Sequence, residues 1–189
     1  MTQDTTVYFC RMESPVGPLL LAATLEKGLR CLNFDRGKLP RTSKDEVWIE
    51  SSEHLKSYIE QVNAYFCGEL RDFTCKLDLI GTQFQKDCWN ALLQVPYGKT
   101  CSYGDIARAI GRPLASRAVG MANHNNPIAI IVPCHRIVGA NRALTGYGGG
   151  LSTKEKLLRL EGADFLAARP KLSPRSRESA VSEQISFEY

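Results

Sequence analysis

Apolar positions recur at two different periods along this chain, and the change between them divides it. Val7-Tyr8-Phe9-Cys10 reads as a strand and Ser14-Pro15-Val16-Gly17 as a turn. Leu19 to Thr24 and Leu29 to Phe34 flank Glu26-Lys27-Gly28, a hairpin signal with glycine where positive φ is needed. Residues 37–45 are polar and contain proline, which predicts loop. Leu55, Tyr58, Ile59, Val62, Tyr65 and Phe66 then recur at helical spacing, with Ser51 or Ser52 as cap and Gly68 as stop. Thr74 to Leu79 reads as one more strand.

At Gly81 the period becomes helical. Thr82-Gln83-Phe84-Gln85 is a capping box, and Phe84, Cys88, Ala91, Leu92 and Val95 form one apolar stripe ending before Pro96-Tyr97-Gly98. Ser102 caps a second helix with Ile106, Ala107 and Ile110 inward, Gly111 as stop and Arg112-Pro113 in the turn. A third helix carries Ala115, Ala118, Val119 and Ala122 at i, i+3, i+4, i+7. Two short helices joined by a tight turn make a helix-turn-helix. Arg117, Gly120 and Asn123 or His124 fall on its other face. Leu144 to Gly150 is a glycine-rich turn with one aromatic, without the spacing of a phosphate loop. Ser152-Thr153-Lys154-Glu155 reads as a second capping box, opening a helix with Leu157, Leu158 and Leu160 that stops at Gly162. Past Arg169, Pro, Ser and charges without periodicity predict disorder. The expected division is an α/β unit over 1–80, a helix-turn-helix unit over 81–166 and a disordered tail over 167–189.

Composition narrows the class. Of 189 residues, 43% are hydrophobic and 23% charged, as in ordinary globular proteins. No apolar run approaches the ~20 residues a bilayer span needs, and the N-terminus lacks a secretory pattern. An intracellular protein is expected. Seven cysteines without a Cys-x-x-Cys pair point to reduced thiols rather than a disulfide scaffold, and three histidines show no metal-ligand spacing. The formal net charge of +4 says little, but from Trp89 to Leu151 six Lys and Arg face a single acid, Asp105. Such a stretch suits phosphate contact, unless the first half supplies counter-charges.

The chemistry gathers at Ile128 to Gly139. A continuous apolar run between Pro127 and Pro133 predicts a buried strand with Cys134 at the rim of the core. An adjacent imidazole, here His135, lowers a thiol from its ordinary pKa of ~8.5 toward a reactive thiolate; the plain alternative is a thiol that only packs. Pro133-Cys134-His135-Arg136, flanked by Ile131-Val132 and Ile137-Val138, resembles the active-site signature of the O6-alkylguanine-DNA alkyltransferases (methylated-DNA–protein-cysteine methyltransferases). The resemblance runs through several separated motifs from about Gly81 to Gly162.

That resemblance implies an α/β (α+β) fold: a ribonuclease-H-like α/β domain, then a mainly helical winged helix-turn-helix domain carrying the active site. It implies that Cys134 accepts the alkyl group, that His135 takes its proton through a water, and that Glu161 orients the imidazole. Tyr103 would assist flipping and donate a hydrogen bond to the base. Arg117 would be the intercalating finger, with Ala118, Gly120 and Asn123 on the same DNA-binding face and the helix in the minor groove. Asn126 would tie the turn before the acceptor cysteine, and Ile137, Tyr147, Gly148 and Gly149 would line the base pocket. Many relatives have Ser or Ala where this chain has Gly148; the backbone N–H survives that change. The implied partner is duplex DNA containing O6-alkylguanine, with O4-alkylthymine left open. A monomer without cofactor or metal is expected, in the nucleoid or cytoplasm of a prokaryote or the nucleus of a eukaryote. The N-terminal zinc site of some relatives has no matching ligands here. Because a thioether has no good leaving group, the protein turns over once. The competing readings are a lesion-flagging relative that lacks the acceptor cysteine, a helix-turn-helix regulator, and a cysteine hydrolase.

Overall fold

The computed structural model describes residues 5–40 and 43–166. The first half is a four-stranded sheet in the order β3-β2-β1-β4: β1 Thr5–Met12, β2 Leu19–Thr24, β3 Gly28–Phe34 and β4 Glu46–Glu50. The β1/β2 and β2/β3 pairs are antiparallel and β1/β4 is parallel. The β2–β3 hairpin turns at Gly28, whose φ of 98° and whose approach to the Lys76 carbonyl (2.3 Å from an added Cβ) leave no room for a side chain. Helix α1, Lys56–Phe66, buries Val62 and Tyr65 and ends at Gly68, whose N–H bonds Tyr65 O at 3.0 Å.

The second half holds α2 Gln83–Leu93, α3 Tyr103–Ala109, α4 Ser116–His124 and α5 Leu151–Leu160. A two-residue parallel pair joins β5 Cys101–Ser102 to β6 Ile137–Val138. Thr82 and Ser102 each cap a helix reciprocally, with Gln85 and Asp105. Trp89, fully buried on α2, donates to Ala122 O on α4 at 2.9 Å and clamps the helix-turn-helix. One apolar core runs through both halves, from Leu21 and Leu32 in the sheet through Tyr65 to Leu92, Val119 and Leu157. A smaller cluster, Val7, Phe9, Leu20, Ala22 and Cys31 under Trp48, covers the sheet's other face.

Several expectations change. The run Ile128–Val132 is buried but is not a strand. It folds as tight turns, with Ile131 N on Ala129 O and Val132 N on Ile128 O, both 2.9 Å, and Ile130 at φ 73°. A continuous apolar run reports burial, not period. Holding a β-branched residue at positive φ costs about 1–3 kcal/mol, which the surrounding contacts must offset. The segment still completes the sheet: Leu32 N bonds Pro127 O at 2.9 Å and Ala129 N bonds Leu32 O at 2.7 Å, so it lies along the outer edge of β3. Residues 74–79 contribute only a bridge between Leu77 and Leu29. Strand β4, Val47-Trp48-Ile49 between two glutamates, is an addition to the expected elements, although its residues favour a strand; Val47 and Ile49 are exposed at the sheet edge. The second capping box does not form: α5 starts at Leu151 from Gly150, with no side-chain cap, because Lys154 turns into the core. Ala118, expected on the inward stripe, is exposed, while Val119 and Ala122 are buried. The expected tail lies outside the described residues. Among the described residues, no helix is long and apolar enough to cross a membrane.

Candidate active site

Pro133 ends the buried turn, and Cys134 opens a single 3-10 turn, Cys134–Arg136. Its thiol lies 9% exposed on the wall of a cavity of about 400 Å³. Asn126 holds the turn from inside: its Nδ2 donates to Val132 O at 2.8 Å and to Cys134 Sγ at 3.1 Å, and its Oδ1 accepts from Ile128 N at 3.0 Å. One amide thus fixes both the turn and the sulfur.

His135 is fully buried, and its Nε2 lies 2.8 Å from Glu161 Oε1, at the C-terminal end of α5. Oε1 also accepts from Tyr65 Oη at 2.8 Å and Arg136 at 3.0 Å, while Oε2 accepts from Arg136 Nε at 2.8 Å and Gly98 N at 3.2 Å. Burial alone would raise the Glu161 carboxyl, but hydrogen bonds and charge from His135 and Arg136 hold it down to about 2. An ionised Glu161 places the imidazole proton on Nε2 and leaves Nδ1 as the acceptor. Nδ1 is buried and has no partner.

The thiol departs from expectation. Burial pushes Cys134 up from its ordinary value, and the groups that oppose this are the Asn126 amide, the charge of Lys154 and nearby backbone N–H groups, not the neighbouring imidazole. Burial also pushes His135 down, so it is neutral at pH 7. Both directions favour a thiol beside a neutral imidazole at rest.

Around this centre, Tyr103 reaches Thr145 Oγ1 at 3.0 Å, and its ring lies under Gly120 of α4. Arg117 and Ala118 are exposed, Asn123 half-buried. Tyr147 packs edge-on against Phe34, and its hydroxyl is buried without a partner. Gly148 O accepts from Arg36 at 3.0 Å; Gly149 lies against the Phe34 ring, where an added Cβ would sit 2.4 Å from ring carbon. Ile137 is fully buried. The basic stretch is less bare than its composition suggests: Arg108 pairs with Asp105, Arg136 with Glu161, and Arg142 with Asp164. Lys99, Arg112 and Arg117 remain as its unpaired cations among the described residues.

The description "6-O-methylguanine DNA methyltransferase, DNA binding domain" matches residues 83–163, and the ribonuclease-like domain of the same proteins matches residues 7–79. The chain belongs to the 6-O-methylguanine DNA methyltransferase family. A methylated-DNA–protein-cysteine methyltransferase of Methanosarcina acetivorans is 54% identical over 83% of this chain and 99% of its own length. One from Mycobacterium leprae is 49% identical over 84% and 95%. The crystal structure of Mycobacterium tuberculosis OGT in complex with DNA matches with a TM-score of 0.74 at 49% identity, covering 82% of this chain and 92% of that one. The family's ribonuclease-like domain followed by its DNA-binding domain is therefore the architecture here.

One residue of this 6-O-methylguanine DNA methyltransferase site escapes a sequence reading. Lys154 is fully buried, and its Nζ donates to Ile137 O and to Thr145 O (3.2 Å). Burial lowers it to about 8, against the opposing effect of Cys134. Lys154, Leu157, Leu158 and Glu161 follow i, i+3, i+4, i+7, so two charges on an apolar stripe were the available signal. With a folded pKa near 8 against ~10.4 unfolded, the folded chain binds this proton less tightly, and stability rises with pH between those values. Lys154→Met removes this pH dependence, but it leaves the Ile137 and Thr145 carbonyls without their donor, so it is expected to lower thermal stability at neutral pH. It should also slow alkyl transfer, because the charge that opposes the rise of the Cys134 thiol is gone. Single-turnover rates and melting curves check both; an unchanged rate removes Lys154 from the chemistry.

Proposed function

We propose that this protein repairs DNA by transferring an alkyl group from the O6 of guanine to Cys134, once per molecule. One observation carries the reading. Every buried side-chain polar atom without a partner among the described residues belongs to Asn123 or Tyr147, which line the cavity that exposes Cys134, or to His135, the residue next to that cysteine. Buried groups are normally satisfied, so a cluster of unsatisfied ones suits a polar aromatic ring that is bound transiently.

The O6 position of a stacked guanine is out of reach, so the base must leave the duplex. Helix α4 is the DNA-facing element in this reading, with Arg117 filling the vacated place and small residues admitting the minor groove wall. Neutral His135 takes the Cys134 proton through a water at Nδ1, and Glu161 stabilises the imidazolium. The sulfur forms a bond to the alkyl carbon as the carbon–O6 bond breaks, and its electron pair returns to the guanine ring. The Tyr103 hydroxyl, displaced from Thr145, donates a hydrogen bond to that ring, and the proton taken up by His135 passes back through water to a ring nitrogen, leaving neutral guanine and a neutral imidazole. Lys154 and the Asn126 amide favour the transient thiolate. The thioether is stable, so no second step regenerates the thiol. In this reading the protein acts as a monomer on duplex DNA containing O6-alkylguanine, without a cofactor, wherever the cell holds its DNA.

The deciding experiment is intact-protein mass after incubation with a duplex containing one O6-methylguanine. One methyl per chain, mapped to Cys134, is expected; tight binding without a mass gain would favour lesion flagging. Arg117→Ala should slow transfer from duplex at least about tenfold more than transfer from a free O6-benzylguanine-like base, since only the duplex must be unstacked. Equal losses on both substrates would remove the finger role from Arg117.

A further inference from the structure

The first half of the chain reaches directly into the site. Tyr65, on α1, is fully buried, and its hydroxyl donates to Glu161 Oε1 at 2.8 Å, the same oxygen that faces His135 Nε2. The two residues lie 96 positions apart in sequence. The Tyr65 ring is fixed edge-on to Phe66 and to Tyr97 and packs against Phe73, so the hydroxyl has little freedom to turn elsewhere.

From this geometry we infer that Tyr65 is a positioning residue for alkyl transfer: it sets the strength of the base His135 by sharing the charge on Glu161 Oε1. The inference rests on the Cys134–His135–Glu161 reading above. A carboxylate that gave its full charge to His135 would favour the imidazolium in the resting protein, and a histidine already protonated cannot accept the Cys134 proton. Arg136, on the other oxygen and the back of the first, works in the same direction. Other groups bear on the pair from every side: Lys154 and the Glu161 carboxylate from α5, Cys134 and Arg136 from the 3-10 turn, Tyr147 from the glycine-rich turn, and Tyr97 with the Gly98 N–H from the turn after α2. The Tyr65 phenol differs from these in donating, uncharged, to the very oxygen that faces His135. Burial and the adjacent carboxylate hold it far above the ordinary phenol range, so it stays a neutral donor at every working pH.

The test is the pH profile of the single-turnover methyl-transfer rate on duplex DNA, in the full chain. Tyr65→Phe keeps the ring and removes only the donor. Its acid limb is expected about half a unit higher than in the wild type, so that below the limb the rate is about threefold lower. Replacing Tyr65 by 3-fluorotyrosine, a stronger donor of nearly the same shape, should move the limb the opposite way. This second variant also serves if Tyr65→Phe folds poorly. A limb that stays in place in both variants, with or without a lower melting temperature, overturns the inference and leaves Tyr65 a packing residue. Nitrogen-15 NMR of His135 in the wild type separates the two levels. A proton on Nε2 with an unmoved limb sinks the role of Tyr65 alone. A proton on Nδ1 sinks the underlying triad and this inference with it.

Discussion

Cys134→Ala is expected to abolish methyl transfer while leaving affinity for a methylated duplex within about threefold of the wild type. The change removes one small, 9% exposed side chain, and Asn126 keeps its bonds to Val132 O and Ile128 N, so the turn should survive. Intact mass and a binding titration on the same duplex read the two halves of this expectation. The sharpest challenge comes from Cys31, which lines the same cavity. Burial raises its thiol to about 11, so it stays protonated at pH 7. A methyl found on Cys31 in the variant would mean that the cavity, not the Cys134 base system, selects the acceptor.

Glu161→Ala should be the most destabilising single change in the site, at about 3–5 kcal/mol, because it strips the acceptor from a buried guanidinium. Tyr65, His135 and Gly98 lose their acceptor as well. For a chain of this size the loss corresponds to a melting temperature lower by roughly 10 °C, and transfer should fall with it. The pH dependence carries its own sign. Glu161 sits at about 2 when folded against ~4.3 unfolded, so its stabilisation is complete above ~4.3 and is lost as pH falls toward 2. Urea unfolding between pH 5 and 3 should therefore show a steeper loss in the wild type than in Glu161→Ala. Parallel slopes would mean that the carboxylate is not held in its ionised form.

Much of this was legible in the residues. The hairpin, the capping box at Thr82, the cap at Ser102 and the helix-turn-helix follow from local rules, and local rules act through neighbours in sequence. What escaped depends on distance. The run Ile128–Val132 has the composition of a strand, but the Asn126 side chain and a positive φ at Ile130 fold it into a turn, and neither can be read from a hydrophobic run. Lys154 passed as an interior position of an expected capping box, because only the assembled core shows that its ammonium satisfies two carbonyls. Tyr65 looked like one more apolar position on α1, since nothing local marks a phenol whose acceptor is 96 residues away. The depressed thiol expected from the Cys134-His135 pair is opposed for a related reason: the imidazole faces Glu161, 26 residues on, and burial is the largest influence on the sulfur.

The turn that carries Cys134 has a second duty. Strand β3 is the last strand of its sheet, and a bare edge offers unpaired N–H and C=O groups to a strand from another molecule. Here Pro127 and Ala129 occupy the Leu32 backbone groups, Asn33 Nδ2 donates to Pro127 O at 3.0 Å, and Lys76 O and Asp78 N take those of Leu29. The segment that presents the acceptor thus also covers the β3 edge of the sheet against pairing with another strand. Chemical competence and colloidal protection hang on the same few hydrogen bonds, and a molecule whose turn has opened gives up both together.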